Sequence, residues 1–398
     1  MNGASAVKPL SGVTVVDLTQ LMAGPSATML LGDMGAEVIK IEQLEGELSR
    51  RLGTSVKSLF LANNRNKRSM AMDLKHPQAR EIVRELVARS DIFVQGFSPG
   101  VMDRLGLGYE DLVKVQPRLV YASLSGFGTA EVGASRKGVD AVVQAETGVM
   151  AVTGDPDGSP MKVGFQMVDA AAGLALAQGI LASLRLRDMT GEPQFLSTSL
   201  YQVSAFLQGH YFVEASVTGR DVARIGNSGG TLAYPTDLFA GSDGGYIQIA
   251  AYLPEQWRLL CEVIERPDLV DDPRFADLDS RVENQRLLRT ELQSAFKTRP
   301  RDEWTSLLRA RGVVAGPVLS HREAMRSEEA RSNACFVEGE FDGQVYQSVR
   351  IPITSHPYGA EHTSAPRLGA DTDTILADLG YTELEIEALR ESGTTAHR

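Results

Sequence analysis

Only two cysteines, Cys261 and Cys335, occur in 398 residues, too few for a disulfide framework and without metal-ligand spacing. None of the six histidines has a partner at the i, i+4 spacing of a helical zinc site. Positive charge is in deficit, with 40 Lys and Arg against 51 Asp and Glu and a formal net charge of −11. Phosphate backbones require a basic surface, so nucleic acid is excluded as a partner, though a local basic pocket for one small anion is compatible. The opening MNGASAVKPLSG lacks a basic stretch followed by an apolar core, so no secretory signal is read there and the expected location is cytoplasmic. No G-x-x-x-x-G-K-[ST] occurs, which excludes a P-loop, and Gly126-Phe127-Gly128 lacks the third glycine and the acidic residue of a dinucleotide fingerprint. Internal repeats and low-complexity tracts are also missing.

What is present reads as a soluble globular chain, 43% hydrophobic and 23% charged, long enough for two domains. Strand patterns at residues 13–18, 37–41, 91–94 and 119–123 alternate with helical ones, one from Ala23-Gly24-Pro25 through Leu31 and one over 77–90. That rhythm predicts βαβ units and a mainly parallel sheet, with ligands bound beyond the carboxyl ends of the strands. Further on, a long helix is expected over 197–216 and an irregular linker over 219–235. A strand at 245–251 and helices at 254–264, 281–297 and 301–311 predict a smaller α+β domain. Strands within 335–352 and helices within 371–390 close the chain.

Residues 163–187, VGFQMVDAAAGLALAQGILASLRLR, stand out. Asp169 is the only charge between Lys162 and Arg185, at the head of a run with helical length and few β-branched residues. The pattern predicts one buried helix, too short for a membrane span and interrupted by Gln178 and Ser183. A carboxylate at such a place has two readings. It is an N-cap, accepting bonds from the first free amides, or it is a nucleophile or base held where those amides stabilise negative charge.

Two other patterns carry chemistry. Residues 226–230 fit G-x-S-x-G around Ser228, but Pro235 and the glycine pair break any following helix, so a flexible turn is expected. His321, His356 and His362 have no spacing that points at Ser228 and read as structural or surface residues. Asn64-Arg65-Asn66-Lys67-Arg68 places three cations before a strand-like segment, and reads either as a solvated loop or as an anion site.

Taken in order, these stretches resemble the class III CoA-transferase family. The likeness runs through PLSGVTVVDLT, AGPSATMLLGDMGAEVIKIE, NRNKRSMAMDLK, PGVMDRLGLGYEDL, PRLVYASLSGFG, GVDAVVQAETGVMAVTG, the Asp169 helix and the terminal RLGADTDTILADLGY. The resemblance implies an enzyme that moves CoA from an acyl-CoA to a free carboxylic acid, with no permanently bound cofactor and no metal. It places the catalytic aspartate on Asp169. It places CoA contacts on Met22 and Ala23, on Met72, Asp73, Leu74 and Lys75, on Gly96, Phe97 and Ser98, and on Arg104 and Lys137. The implied fold is α/β: a Rossmann-like large domain with a parallel sheet, plus a smaller α+β domain, in an interlocked homodimer with no membrane partner. On this sequence the large domain takes 1–218 and a return segment 331–398, the linker 219–235, and the small domain 236–330.

Some positions depart from the family pattern. Gln95-Gly96-Phe97-Ser98 stands where many relatives have Glu-Asn-Phe followed by a basic residue or His, removing a side-chain amide and a cation. The long glycine lid of formyl-CoA transferases is missing, which turns the expectation from formate or oxalate toward succinyl-type dicarboxylic or branched short-chain acids. Val139 stands where 2-methylacyl-CoA racemases of the same superfamily carry a His, and valine exchanges no proton. Racemisation or isomerisation, and a non-enzymatic CoA-binding protein, are the alternatives to transfer.

Overall fold

The computed structural model describes residues 7–52, 57–229, 234–353 and 362–396. The chain divides into two compact units: residues up to 147 with 163–212 and 331–398, and residues 148–162 with 213–330. The predicted division ran the first domain unbroken to 218; the segment 148–162 instead belongs to the second unit.

In the first unit a sheet is built from β1 (Thr14–Leu18), β2 (Glu37–Glu42), β3 (Lys67–Met72), β4 (Ile92–Gln95), β5 (Val120–Ser125) and β6 (Gln194–Ser199). They lie parallel in the order 3-2-1-4-5-6, with the short strand Thr395–Ala396 antiparallel beside β3. Strand order reverses at β1, and the crevice beyond the ends of β1 and β4 is where such sheets bind ligands. Side chains alternate across the sheet. Val15 packs with Ala27, Leu30, Ala172 and Leu176 on one face, and Val16 with Ile82, Val83 and Ile375 on the other. Cover on both faces makes β1, β4 and β5 short runs of mainly apolar residues, whereas β2 alternates, with Lys40 and Glu42 buried beside Val38, Ile39 and Ile41.

β6 does not stand out. It is an edge strand with Phe195 half exposed and polar residues between, and its second half falls within the helix expected over 197–216. The helix begins instead at Leu200, where the Ser199 hydroxyl accepts from the Gln202 amide, and it ends at Leu207 before a second helix, Gly209–Thr218.

The second unit holds an antiparallel sheet of β7 (Thr236–Ala240), β8 (Tyr246–Ala250) and β9 (Val314–Pro317), with a core around Trp257, Phe296 and Trp304. The single helix expected over 281–297 is two, Leu278–Glu283 and Gln285–Phe296, parted at Asn284. There the Asn284 side-chain amide donates to the carbonyls of Arg274 and Ser280.

Candidate active site

The helix bearing Asp169, Met167–Thr190, has 24 residues and is long and apolar enough to cross a membrane by length and composition. The expected shortness is therefore corrected, and so is the expectation of burial all round. Ala172, Gly173, Leu176, Ala177 and Ile180 are buried on the side that meets β6 and the first helix, Ala23–Asp33, whereas Leu174 and Leu186 are exposed. Gly173 permits the close approach: a Cβ there would lie 2.0 Å from Ser26 Oγ and 2.9 Å from the Ala23 carbonyl oxygen. Asp169 precedes Gly173 by one turn and shares its face, so it stands on the side that meets the Met22–Ala23 turn.

Asp169 is not the cap of its helix. The N-cap position is Gln166, without a side-chain bond, and the capping group comes from elsewhere. Asp140, buried at the start of the helix Asp140–Glu146, accepts the amides of Val168 at 2.8 Å and Asp169 at 3.0 Å on one carboxylate oxygen. Its other oxygen accepts from Gln144 Nε2, and Gln144 Oε1 accepts the Val163 amide at 2.9 Å. Among the described residues the Asp169 carboxylate itself has no hydrogen-bond or ion-pair partner. Burial, and after it the charge of Asp140, push its pKa up from 3.8 to about 6. Sequence reasoning weighed Val139 and missed Asp140. Asp favours caps, but no linear pattern tells which helix a distant aspartate will cap.

A cavity of about 400 Å³ opens at the carboxyl ends of β1 to β4. It gathers Met72, Asp73, Leu74, Lys75 and Phe97 of the expected contacts, with Leu18, Gln20, Glu47 and Val101. Met22, Ala23, Gly96, Ser98, Arg104 and Lys137 do not line it. Ala23 is buried under the helix that bears Asp169, Gly96 and Ser98 are exposed, and Arg104 and Lys137 are exposed cations without an ion pair among the described residues. Gln95 compensates part of the altered loop by accepting the Phe97 amide at 2.7 Å while donating to Ser123 Oγ.

The cation cluster at 64–68 is neither a solvated loop nor an anion site. Arg65 pairs with Asp33 at 2.5 Å, both buried, and Arg68 bridges Glu37 and Asp378 at the surface. Lys67 Nζ donates to Asp17 Oδ2 at 3.0 Å, the Pro25 carbonyl at 2.9 Å and Asn64 Oδ1 at 2.8 Å. Burial draws the Lys67 ammonium down to about 8 against the pull of Asp17. Burial alone would raise Asp17, but Lys67, Lys40 and the hydroxyls of Thr19 and Thr28 hold it at about 2.

The G-x-S-x-G pattern is a turn, as expected: Ser228 Oγ accepts from Gln285 Nε2 at 2.6 Å in an irregular stretch, and Gly230 lies outside the described residues. His321 opens a helix and His362 bonds the Glu338 carbonyl; His356 lies outside the described residues.

Comparison with known proteins bears on this arrangement. The sequence model of CoA-transferase family III matches residues 10–372. The chain belongs to CoA-transferase family III. It is 38% identical over 94% of its length to a probable fatty acyl-CoA transferase of Mycobacterium tuberculosis, covering 99% of that protein. It is 33% identical over 98% of its length to the succinyl-CoA:glutarate CoA-transferase of Mus musculus, covering 90% of that protein. The crystal structure of a CAIB/BAIF family protein from Brucella suis matches 94% of this chain and 99% of its own, at 30% identity and TM-score 0.86. Family membership makes the chain an enzyme of the CoA-transferase type, acting on CoA thioesters.

Proposed function

We propose that the chain transfers CoA from an acyl-CoA thioester to a free carboxylic acid, with Asp169 as the covalent nucleophile. The observation that carries this reading is a partly buried carboxylate at a helix start whose flanking amides are already bonded to Asp140, leaving its own oxygens uncommitted. Ionised Asp169 attacks the thioester carbonyl, forming a mixed anhydride and releasing CoA thiolate. The thiolate attacks the aspartyl carbonyl, giving an aspartyl-CoA thioester and the free donor acid. The acceptor carboxylate then attacks that thioester, CoA thiolate leaves again, and its attack on the acceptor carbonyl of the new anhydride yields acceptor-CoA and restores Asp169.

The cavity at the ends of β1 to β4 takes part of the CoA, with Met72 to Lys75 and Phe97 as its contacts. Met22, Ala23, Gly96 and Ser98 complete the path, and Arg104 and Lys137 pair the phosphates, a task suited to free exposed cations. The acids are short-chain dicarboxylic or branched, a reading supported by the glutarate acceptor in the name of the Mus musculus relative. Val139, half exposed beside Asp140, supports transfer over racemisation, because it supplies no second base. The two compact units are read as the large and small domains of a cytoplasmic, interlocked homodimer. Exposed Leu174, Leu186, Phe195 and Phe206 in the first unit support a partner that covers apolar surface of that unit.

One mass-spectrometric assay tests the reaction. Protein mixed in heavy water with a panel of acyl-CoAs and acids is expected to yield new CoA esters without α-deuterium; deuterium at the α-carbon with no new ester would establish racemase chemistry instead. The acid limb of kcat/KM gives a second check. Only ionised Asp169 is a nucleophile, so activity is expected to fall about tenfold per pH unit below about 6. Asp140→Asn keeps an acceptor for the two amides, removes the neighbouring charge, and moves that limb to lower pH. An unmoved limb would remove Asp140 from the electrostatics of the site.

A further inference from the structure

Between β1 and the first helix the chain turns through residues 19–22, and Leu21 adopts a left-handed conformation with φ +67°. A residue with a branched side chain holds that conformation where its surroundings over-determine it. Buried charged groups do so here. Asp17 Oδ1 accepts the Thr19 amide at 2.9 Å, and Lys40 Nζ donates to the Thr19 carbonyl at 2.9 Å. Glu47 Oε2 accepts the Leu21 amide at 2.9 Å, and Lys67 Nζ holds the Pro25 carbonyl beyond the turn. Lys40 and Glu47 face each other at 3.7 Å with side chains 0% and 2% exposed.

The two ends of this device lie at the two parts of the candidate site. Glu47, with Leu18 and Gln20, belongs to the wall of the 400 Å³ cavity. The turn it holds runs into Ala23 and Ser26, which meet Gly173 one helical turn from Asp169. The first amides of a helix have no partner within it, so their direction is set by the turn alone.

We propose that Glu47 is a positioning residue that ties the cavity wall to the Leu21–Ala23 turn and so sets that turn against the Asp169 face. The proposal rests on the transferase reading above. Loss of the Glu47 acceptor frees Leu21 to leave its left-handed conformation, and Met22 and Ala23 move with it. Met72 to Lys75 and Phe97 of the cavity stay in place and only the Met22–Ala23 part of the CoA path shifts, so turnover suffers more than binding.

The test uses the full chain, CoA in titration calorimetry, and steady-state transfer with the acyl-CoA and acid pair found by the panel assay. Glu47→Ala is expected to lower kcat about 100-fold while the CoA dissociation constant stays within about threefold. Leu21→Gly in the Glu47→Ala background is expected to restore kcat at least about tenfold, because glycine takes positive φ without strain. Glu47→Gln, which keeps an acceptor for Leu21, stays within about tenfold of the wild-type kcat. Should Glu47→Ala not fold, Glu47→Asp withdraws the acceptor by one methylene, and the same split and the same glycine rescue are expected. Wild-type kcat in the acceptor-removed variant, a proportional loss of CoA affinity, or failure of the glycine rescue overturns the proposal. Wild-type protein that neither binds CoA nor transfers it overturns the transferase reading, and this proposal with it.

Discussion

Asp169→Asn abolishes transfer and at the same time raises the melting temperature at pH 8. The two effects share one cause. A carboxyl whose pKa rises from 3.8 to about 6 on folding holds its proton more tightly in the native state than in the unfolded chain. The sign follows: ionising it is harder in the native state, so folding loses stability as pH climbs from about 4 to about 6, then levels off. The shift amounts to roughly 2–3 kcal/mol above pH 6, an upper figure because the group is only partly buried. Asparagine is isosteric and uncharged and removes this cost, so the melting temperature rises by several degrees at pH 8 and hardly at all at pH 4. Transfer falls by at least about 10⁴-fold, because the neighbouring carboxylate, Asp140, is committed to the Val168 and Asp169 amides. Scanning calorimetry of both proteins at the two pH values, beside the panel assay, checks the pair of results. Lost activity with an unchanged melting temperature would mean that Asp169 is fully solvated, and near-wild-type transfer would remove it as the nucleophile.

The second large effect concerns Lys67. Its ammonium and the Asp17 carboxylate are both fully buried, and Lys67 uses all three donors on Asp17, Pro25 and Asn64. Lys67→Ala leaves Asp17 buried without its principal counter-charge and is expected to destabilise the protein by about 3–5 kcal/mol, or to prevent folding. Arg68, next in the chain, pairs with Glu37 and Asp378 at the surface, and Arg68→Ala is expected to cost less than about 1 kcal/mol. CoA affinity of Arg68→Ala stays at the wild-type value, since the guanidinium faces two carboxylates at the sheet edge. Urea unfolding measures the first difference and CoA titration the second. Equal stability of the two variants would mean that the buried pair is hydrated in solution.

The family fingerprint, five of the six parallel strands (β3 as the strand-like segment behind the cations) and the position of Asp169 at a helix head were legible in the sequence. Each rests on local pattern: apolar runs where a strand is covered on both faces, and one charge in an apolar run. β6 was not legible, because an edge strand with one open face keeps polar residues and so reads like the helix that follows it. The cations at 64–68 were visible as a cluster, but a charge run has the same letters whether it meets water, phosphate or a buried carboxylate. Asp33, Asp17 and Glu37, which decide the matter, lie 30 to 50 residues away along the chain.

Asp169 shows the same division at one residue. By itself the sequence determined a lone acidic group at the start of an apolar helix in an acidic, cysteine-poor chain of this family. Only the tertiary structure decided that Asp140 takes over the capping, that Gly173 lets the first helix approach, and that Asp169 is left partly buried beside a second negative charge. Periodicity and capping preference act over a few residues and can be read in line. Desolvation and charge–charge coupling depend on distances through space, which the order of residues does not state.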